Sequence, residues 1–232
     1  MKVLYYAISD CGKMRKENQD RFVVPCSKNT ANGVSETLAS TSLYAVFDGM
    51  GGEQYGEKAA EIAVEVFKNV LEKEKKYDLN YITHTINNVI CRYMKDNNIA
   101  RMGTTAAFLK LKEDFVVAGN IGDSSIYKVS DGKMYRLSLS HTMMVGSKRV
   151  LTQHLGIPSE EIVLEPHFCK CEAKEGDIFI LCTDGLTDMI DEKKIYEIIV
   201  ENEFETIGQH LLHEALLNGG NDNITIVLCK IV

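Results

Sequence analysis

The sequence predicts an α+β fold in which two antiparallel sheets pack together and pairs of helices cover their outer faces. Three observations predict it: several β-patterned segments follow one another directly, one pair of helical patterns precedes them, and a second pair follows them. Adjacent strands favour antiparallel pairing, and clustered amphipathic helices need a sheet face to cover. The chain has 232 residues, of which 45% are hydrophobic and 25% charged. We therefore expect one globular domain over residues 1–232.

The helices are predicted from apolar residues spaced three and four positions apart, and the strands from short apolar or alternating runs. The predicted helices span residues 53–71, 79–93, 191–200 and 204–217. The predicted strands span residues 21–24, 43–47, 104–111, 115–118, 125–129, 133–137, 178–182 and 224–231. Residues 25–42 are rich in Ser, Thr and Asn, which indicates a long exposed hairpin loop.

The charge and cysteine content exclude several classes of protein. Asp and Glu number 33 against 26 Lys and Arg, which gives a net charge of −7, whereas nucleic-acid binders are generally basic. The sequence has no run of about 20 apolar residues, so neither a membrane span nor a membrane partner is expected. The seven cysteines are odd in number and form no Cys-x-x-Cys pair. They indicate reduced thiols in a cytoplasmic protein.

Two buried strands are each followed by the same dipeptide. Asp48-Gly49 follows residues 43–47, and Asp184-Gly185 follows residues 178–183. Asp-Gly is a common hairpin turn, and Asp131-Gly132, which lies between two alternating strands, is predicted to be one. The other two pairs lead into helices and not into a returning strand. A carboxylate held at the end of a rigid strand is well placed to bind a ligand.

Three further aspartates stand in marked polar contexts: Asp20 in Asn-Gln-Asp, Asp123 in Gly-Asp-Ser and Asp222 in Asn-Asp-Asn. Each alone would more often be an Asx turn or a helix N-cap. With Asp48 and Asp184 they make five such acids in a chain without a His/Cys metal-binding pattern. Clustered carboxylates repel one another unless a cation neutralises them. Oxygen ligands favour hard ions, so Mg²⁺ or Mn²⁺ is the expected cofactor.

Seven motifs follow one another along the chain. They are Ser9-Asp10-x-Gly12-x-x-Arg15-x-x-Asn18-Gln19-Asp20, Asp48-Gly49-Met50-Gly51-Gly52, Met102-Gly103-Thr104-Thr105, Gly122-Asp123-Ser124, Leu151-Thr152-x-x-Leu155-Gly156, Thr183-Asp184-Gly185-Leu186 and Gly219-Gly220-x-Asp222-Asn223-Ile224-Thr225. In this order they resemble the metal-dependent (type 2C, PPM) Ser/Thr protein phosphatases, in the form typical of the bacterial branch. One motif says little, but the set spans nearly the whole chain and is highly specific.

The resemblance implies a four-layer α-β-β-α sandwich with a metal centre at one end of its sheets. The implied metal ligands are Asp20, Asp48, Gly49, Asp123, Asp184 and Asp222. In this assignment Asp48 bridges two divalent ions and the Gly49 carbonyl ligates one of them. Asp184 and Asp222 complete the coordination of the other ion. Asp20 lies beside the two ions and binds directly or through a water. Asp123, with help from Asp184, matches a third-ion position.

The implied reaction is the hydrolysis of phosphoserine and phosphothreonine esters on proteins by metal-activated water, with two to three divalent ions, Mn²⁺ or Mg²⁺. The catalytic residues are then Asp48, Asp184 and Arg15, which matches the phosphate-binding arginine of the family. The alternative for Arg15 is a surface ion pair, with Glu17 as a candidate partner. The expected partners are phosphorylated proteins and a cognate Ser/Thr kinase, in cytoplasmic signalling. The chain is expected to be a monomer that binds neither nucleic acid nor membrane.

Two departures from the family pattern stand out. The family usually has Gly-Asp-Ser-Arg, and Ser125 replaces that arginine here. Residues 141–149 stand where relatives commonly carry a much longer flap, so a shortened flap and a more open site are expected. One alternative function is a catalytically silent relative that binds phosphoproteins as an adaptor, although Asp48, Asp184 and Asp222 are all retained. A second alternative is a phosphatase acting on a small phosphorylated regulator.

Overall fold

The protein is described by a computed structural model that covers residues 2–25, 33–38, 42–50, 55–73, 78–112 and 114–232. The elements in chain order are β1 (Lys2–Asp10), β2 (Arg21–Val23), β3 (Gly33–Leu38), β4 (Ser42–Phe47), β5 (Gly49–Met50), α1 (Gly56–Lys73), α2 (Leu79–Asp96), β6 (Gly103–Thr104), β7 (Ala106–Leu111), β8 (Phe115–Ile121), β9 (Ser125–Ser130), β10 (Lys133–Arg136), β11 (Thr142–Val145), β12 (Lys148–Leu151), β13 (His167–Glu172), β14 (Ile178–Cys182), α3 (Asp184–Thr187), α4 (Glu192–Glu201), α5 (Phe204–Leu217) and β15 (Ile224–Ile231).

Most strands belong to two antiparallel sheets. The six-stranded sheet has the order β10-β9-β14-β15-β1-β3, and the five-stranded sheet has the order β13-β8-β7-β4-β2. Two short pairs stand apart, β5 with β6 and β11 with β12. In the first sheet, β1 and β15 pair from Val3 opposite Ile231 to Asp10 opposite Ile224. The two ends of the chain are thereby joined at the centre of one sheet.

Three buried apolar clusters separate four layers. One lies between α1, α2 and the five-stranded sheet, where Phe67 and Phe108 stack with their ring centroids 5.6 Å apart. A second lies between the sheets and includes Tyr44 and Leu181. A third lies between the six-stranded sheet and the last two helices and includes Leu211. Burial of these apolar faces holds the layers together, and the predicted sandwich of two antiparallel sheets flanked by helix pairs is confirmed.

The four predicted helices are present, and their ends follow from capping. The Asp78 side chain accepts a hydrogen bond from the Asn80 amide, and α2 begins at the next residue, Leu79. The Asp191 side chain caps α4 in the same way, 2.8 Å from the Lys194 nitrogen, so that helix begins one residue later than predicted. Helix α1 is described from Gly56, and residues 53 and 54 of its prediction lie outside the described residues. Across the described chain, no helix is both long and apolar enough to traverse a bilayer.

The strands differ from prediction in several places. Within the predicted loop 25–42, Gly33–Leu38 is a strand that pairs with β1, while residues 26–32 and 39–41 lie outside the described residues. Strand β1 itself was not predicted, and neither was β13, an edge strand whose half-exposed residues give no clear alternation. The predicted strand 104–111 is interrupted at Thr105. The Thr105 amide leaves the ladder to donate to the Asp48 carbonyl at 2.9 Å.

The predicted turn at Asp131-Gly132 and the predicted short flap are both found. Asp131 and Gly132 have φ angles of 52° and 71°, the left-handed conformation of a tight hairpin turn between β9 and β10. The flap segment is a two-stranded hairpin, in which Thr142 pairs with Leu151 and Val145 with Lys148. The shortened flap is therefore a compact ordered unit.

Candidate functional site

Strand register brings the predicted motifs to one end of the two sheets. In the six-stranded sheet, Cys182 lies opposite both Ser125 and Ile226. The segments that carry Asp123, Asp184 and Asp222 therefore leave their strands at the same end. In the five-stranded sheet, Phe47 lies opposite Arg21, which places Asp48 and Asp20 together by the same geometry.

A cleft of about 590 Å³ opens at this end of the sandwich. Six of the seven predicted site residues line it: Arg15, Asp48, Gly49, Asp123, Asp184 and Asp222. The seventh, Asp20, is only 2% exposed. The buried Thr183 hydroxyl, from the residue before Asp184, donates to Asp20 Oδ2 at 2.8 Å. The structure thus brings the predicted residues together at the cleft, and the buried Asp20 is hydrogen-bonded to Thr183.

Asp48 is held by contacts with the Met102–Thr105 motif, to which the sequence assigned no role. The Asp48 amide donates to Thr105 Oγ1 at 3.2 Å, and its carbonyl accepts from the Thr104 hydroxyl at 2.9 Å. Thr105 Oγ1 also shares a hydrogen bond of 2.6 Å with the hydroxyl of Ser124, the neighbour of Asp123. Thr105 therefore couples the positions of Asp48 and Asp123. The motif spacing was the only sequence signal for it.

Gly49 is required by a close approach of the backbone. A Cβ at this position would lie 2.2 Å from the Gly56 carbonyl oxygen and 2.7 Å from the Gln19 carbonyl oxygen. Only glycine leaves room for the start of α1 and the N-terminal loop to converge here. This contact keeps the Gly49 backbone beside the carboxylates.

The carboxyl groups of the cleft disfavour one another's charged forms. Burial raises the pKa of Asp48 well above its ordinary value, and the charges of the other four aspartates raise it further. Burial also raises the pKa of Asp20 to about 7. Burial and the charges of Asp123, Asp188 and Asp222 raise the pKa of Asp184 to about 7. The pKa of Asp123 is raised as well, chiefly by burial.

This donor set fits divalent cations. Asp20 Oδ1 is buried and has no hydrogen-bond partner among the described residues, which is costly for a carboxylate without a cation. All the side-chain donors are hard oxygen atoms, which suit Mg²⁺ and Mn²⁺. Within the described ranges, no three His, Cys, Asp or Glu side chains already form a closed set around one point. Mg²⁺ needs no such set, because it keeps several waters and binds through one or two carboxylates.

Arg15 pairs with Asp222 and not with Glu17. Its Nη2 atom lies 2.6 Å from Asp222 Oδ2, with 56% of the Arg15 side chain exposed. The guanidinium therefore stands at the rim of the cleft, beside a predicted metal ligand. The hydrogen bond to Asp222 raises the pKa of Arg15, and the charges of Asp222, Asp48 and Asp184 raise it further.

Asn223 organises the loop that presents Arg15. Its Oδ1 accepts from the Gln19 amide at 2.9 Å, and its Nδ2 donates to the Cys11 and Glu17 carbonyls, each at 2.9 Å. These three bonds tie both ends of the loop to the segment that carries Asp222. The sequence marked Asn223 only as part of a motif, because its partners lie about two hundred residues away.

Two arginines from the flap side of the cleft were not predicted. Arg149 Nη2 lies 2.6 Å and 2.8 Å from the two carboxylate oxygens of Asp188, and 3.7 Å from Asp184 Oδ2. Arg136 Nη2 donates to Ser125 Oγ at 3.1 Å. The Arg136 guanidinium, from the adjacent strand β10, therefore contacts Ser125, the residue that replaces the arginine usual in the family.

Comparison with known proteins agrees with this geometry. A model of the protein phosphatase 2C family matches residues 16–218. The Ser/Thr protein phosphatase PstP of Mycobacterium tuberculosis is 26% identical over 98% of this chain, which spans only 45% of that relative. The Ser/Thr phosphatase stp of Listeria innocua is 26% identical over 96% of this chain and 93% of its own length. The crystal structure of the PstP catalytic domain in complex with two manganese ions has a TM-score of 0.80, with 27% identity and full coverage of both chains.

The chain belongs to the protein phosphatase 2C family. The family match covers most of the chain and contains five of the seven predicted site residues, from Asp20 to Asp184. Arg15 lies just before the matched range and Asp222 just after it. The structural likeness confirms the four-layer α+β fold.

Proposed function

We propose that this chain hydrolyses phosphoserine and phosphothreonine monoesters on proteins with two Mn²⁺ or Mg²⁺ ions. The observation that carries the proposal is the cleft, in which four aspartates with mutually unfavourable charges, adjoined by the buried Asp20, stand beside an exposed arginine. The family membership supports the same reaction. So do the names of the relatives, which are Ser/Thr protein phosphatases, and the two manganese ions bound by the PstP catalytic domain.

The proposed ligands are those predicted from the sequence: Asp20, Asp48, the Gly49 carbonyl, Asp123, Asp184 and Asp222. When bound, the ions would supply Lewis acidity and would lower the pKa of a bound water, so that hydroxide is available at neutral pH. The chain itself orients these donors, because Thr105 and Thr183 hold Asp48 and Asp20 through hydrogen bonds.

Arg15 is the proposed phosphate-binding residue. An exposed guanidinium is the side chain best suited to bind two oxygens of a phosphate dianion. Its position at the rim, on a loop pinned by Asn223, lets it reach a phosphoester that enters the cleft from solvent. In this role the Arg15 guanidinium gives up its ion pair with Asp222 and binds the phosphate.

Further features of the protein remain part of the proposal. The substrates are phosphorylated proteins, and a Ser/Thr kinase that phosphorylates them is the functional partner. We propose one phosphatase domain over residues 1–232, acting as a cytoplasmic monomer without nucleic acid or membrane. The adaptor alternative requires a cleft that binds phosphoproteins without hydrolysing them.

The test is hydrolysis of an aryl phosphate and a phosphothreonine peptide by the purified chain, with Mn²⁺ or with EDTA. We expect activity with Mn²⁺ that EDTA abolishes and that Asp48→Asn reduces by at least about a hundredfold. Asp96→Asn makes the same chemical change at the exposed end of α2 and should leave the rate unchanged. Binding of the phosphopeptide without turnover would favour the adaptor, and turnover that persists in EDTA would refute the metal-dependent reaction.

A further inference from the structure

The flap hairpin places the Arg149 guanidinium beside Asp184 and Asp188, at a cavity that Asp123 also lines. Arg149 lies on β12, and its Nη2 atom contacts both oxygens of Asp188 and comes within 3.7 Å of Asp184. A cavity of about 310 Å³ adjoins the main cleft here, and Asp123, Asp184 and Asp188 line it together with Arg149. Asp123 and Asp184 are the pair that would hold a third divalent ion.

The hairpin is anchored so that the arginine has a defined place. At its base, the Thr152 amide donates to the His141 carbonyl at 2.8 Å, and the His141 amide donates to the Gly122 carbonyl at 3.0 Å. Gly122 immediately precedes Asp123. The hairpin that carries Arg149 is therefore tied to the residue next to one of the two carboxylates, and Asp188 fixes its guanidinium beside the other.

The neighbouring arginine does not serve the same purpose. Arg136 also lines this cavity, but its guanidinium is directed to Ser125, Ser138 and Glu192. Of the two arginines that line this cavity, Arg149 is thus the one within ion-pair distance of Asp184.

We propose that Arg149 neutralises the Asp123–Asp184 pair in place of a third divalent ion, so that this chain holds two ions tightly and a third only weakly. The inference rests on the proposed function. Its physical basis is that a guanidinium and a divalent cation repel each other when both stand within a few ångströms of the same carboxylates. In this role Arg149 balances charge and positions carboxylates. Among the described residues, its ion pairs are with Asp184 and Asp188.

The experiment counts bound Mn²⁺ by calorimetric titration and equilibrium dialysis, in the wild-type chain and in three variants. We expect the wild-type chain to bind two ions over a concentration range in which Arg149→Gln binds three. The third ion should bind about tenfold more tightly, or more, once the guanidinium is removed. Lys148→Gln removes an equal charge from the adjacent exposed residue and should bind two ions, as should Arg149→Lys, which keeps the charge.

The outcomes separate this inference from the proposed function. Three ions of similar affinity in the wild-type chain, or two in Arg149→Gln, would overturn the inference and leave the two-ion phosphatase intact. A third ion gained equally by Lys148→Gln would overturn it too, because general surface charge would then explain the effect. No Mn²⁺ bound by any variant would overturn both. A single cooperative unfolding transition of each variant in EDTA verifies that the fold is kept.

Discussion

Replacing Asp20 by asparagine should stabilise the metal-free protein and weaken its response to metal. The Asp20 side chain is 2% exposed, and its Oδ1 atom lacks a hydrogen-bond partner in the described part of the chain. Without a cation, the folded state therefore holds a carboxylate that burial strongly disfavours. Asparagine has nearly the same shape and can still accept the hydrogen bond from Thr183.

The magnitude follows from the pKa of Asp20. Burial raises it from 3.8 to about 7, and each pKa unit corresponds to about 1.4 kcal/mol. The folded state binds this proton more tightly than the unfolded state, so the destabilisation grows as the pH rises from 3.8 to 7 and is complete above 7. The full difference is about 4 kcal/mol. Part of this difference depends on the charges of neighbouring carboxylates, and asparagine must bury an amide. We therefore expect Asp20→Asn to raise the free energy of unfolding by about 2 kcal/mol at pH 8.

The assay is urea unfolding at pH 8 and pH 4.5, in EDTA and in saturating Mn²⁺. In EDTA the variant should be the more stable protein at pH 8, with a smaller difference at pH 4.5. Mn²⁺ at a hundred times its dissociation constant for the wild-type chain should stabilise that chain by about 2.7 kcal/mol for each ion bound, and the variant by less at the same concentration. Asp96→Asn should match the wild-type chain throughout. A variant that is less stable in EDTA at pH 8, or that gains as much from Mn²⁺, would refute the assignment of Asp20 to the metal centre.

Three other substitutions test Arg15, Asn223 and Thr105 around the cleft. Arg15→Ala should raise KM for a phosphopeptide about tenfold or more, and Mn²⁺ binding by calorimetry should be kept or tightened because Asp222 loses its ion pair; weaker Mn²⁺ binding would contradict this. Asn223→Ala removes three hydrogen bonds, so thermal unfolding should show a loss of about 1–3 kcal/mol together with a raised KM; an unchanged KM would separate Asn223 from Arg15. Thr105→Val should lower kcat about tenfold with little change in KM, because the Thr105 hydroxyl positions Asp48. An unchanged kcat would exclude that role for Thr105.

The sequence predicted best those elements whose burial has a simple period. Helix α5 and strand β14 begin and end at the predicted residues, because one has an apolar helical stripe and the other is a short apolar run. Strand β13 was missed because it lies at a sheet edge, where only half of its surface must be apolar. The interruption at Thr105 was invisible, because it depends on hydrogen bonds to Asp48, 57 residues earlier.

The candidate site could be predicted as a set of residues but not as a network. The aspartates were recognised from local motifs, because a carboxylate at the end of a strand has a local signature. Their partners have none: Arg15 meets Asp222 across 207 residues, and Arg149 meets Asp188 across 39. These contacts are set by the pairing of β1 with β15 and by the hairpin between β11 and β12. Only the folded register brings such groups together.

The net charge of −7 is partly a property of this cleft. Two arginines, one on the N-terminal loop and one on the flap hairpin, pair with its carboxylates in different ways. Arg149 is bound to Asp188, which is not a proposed metal ligand, so cation binding leaves that pair in place. Arg15 is bound to Asp222, which is one. In the metal-free chain, a phosphate oxygen must therefore compete with Asp222 for the same guanidinium. A cation at Asp222 weakens that ion pair and releases Arg15 for phosphate, so Mn²⁺ and inorganic phosphate should bind cooperatively, and Arg15→Ala should abolish the coupling.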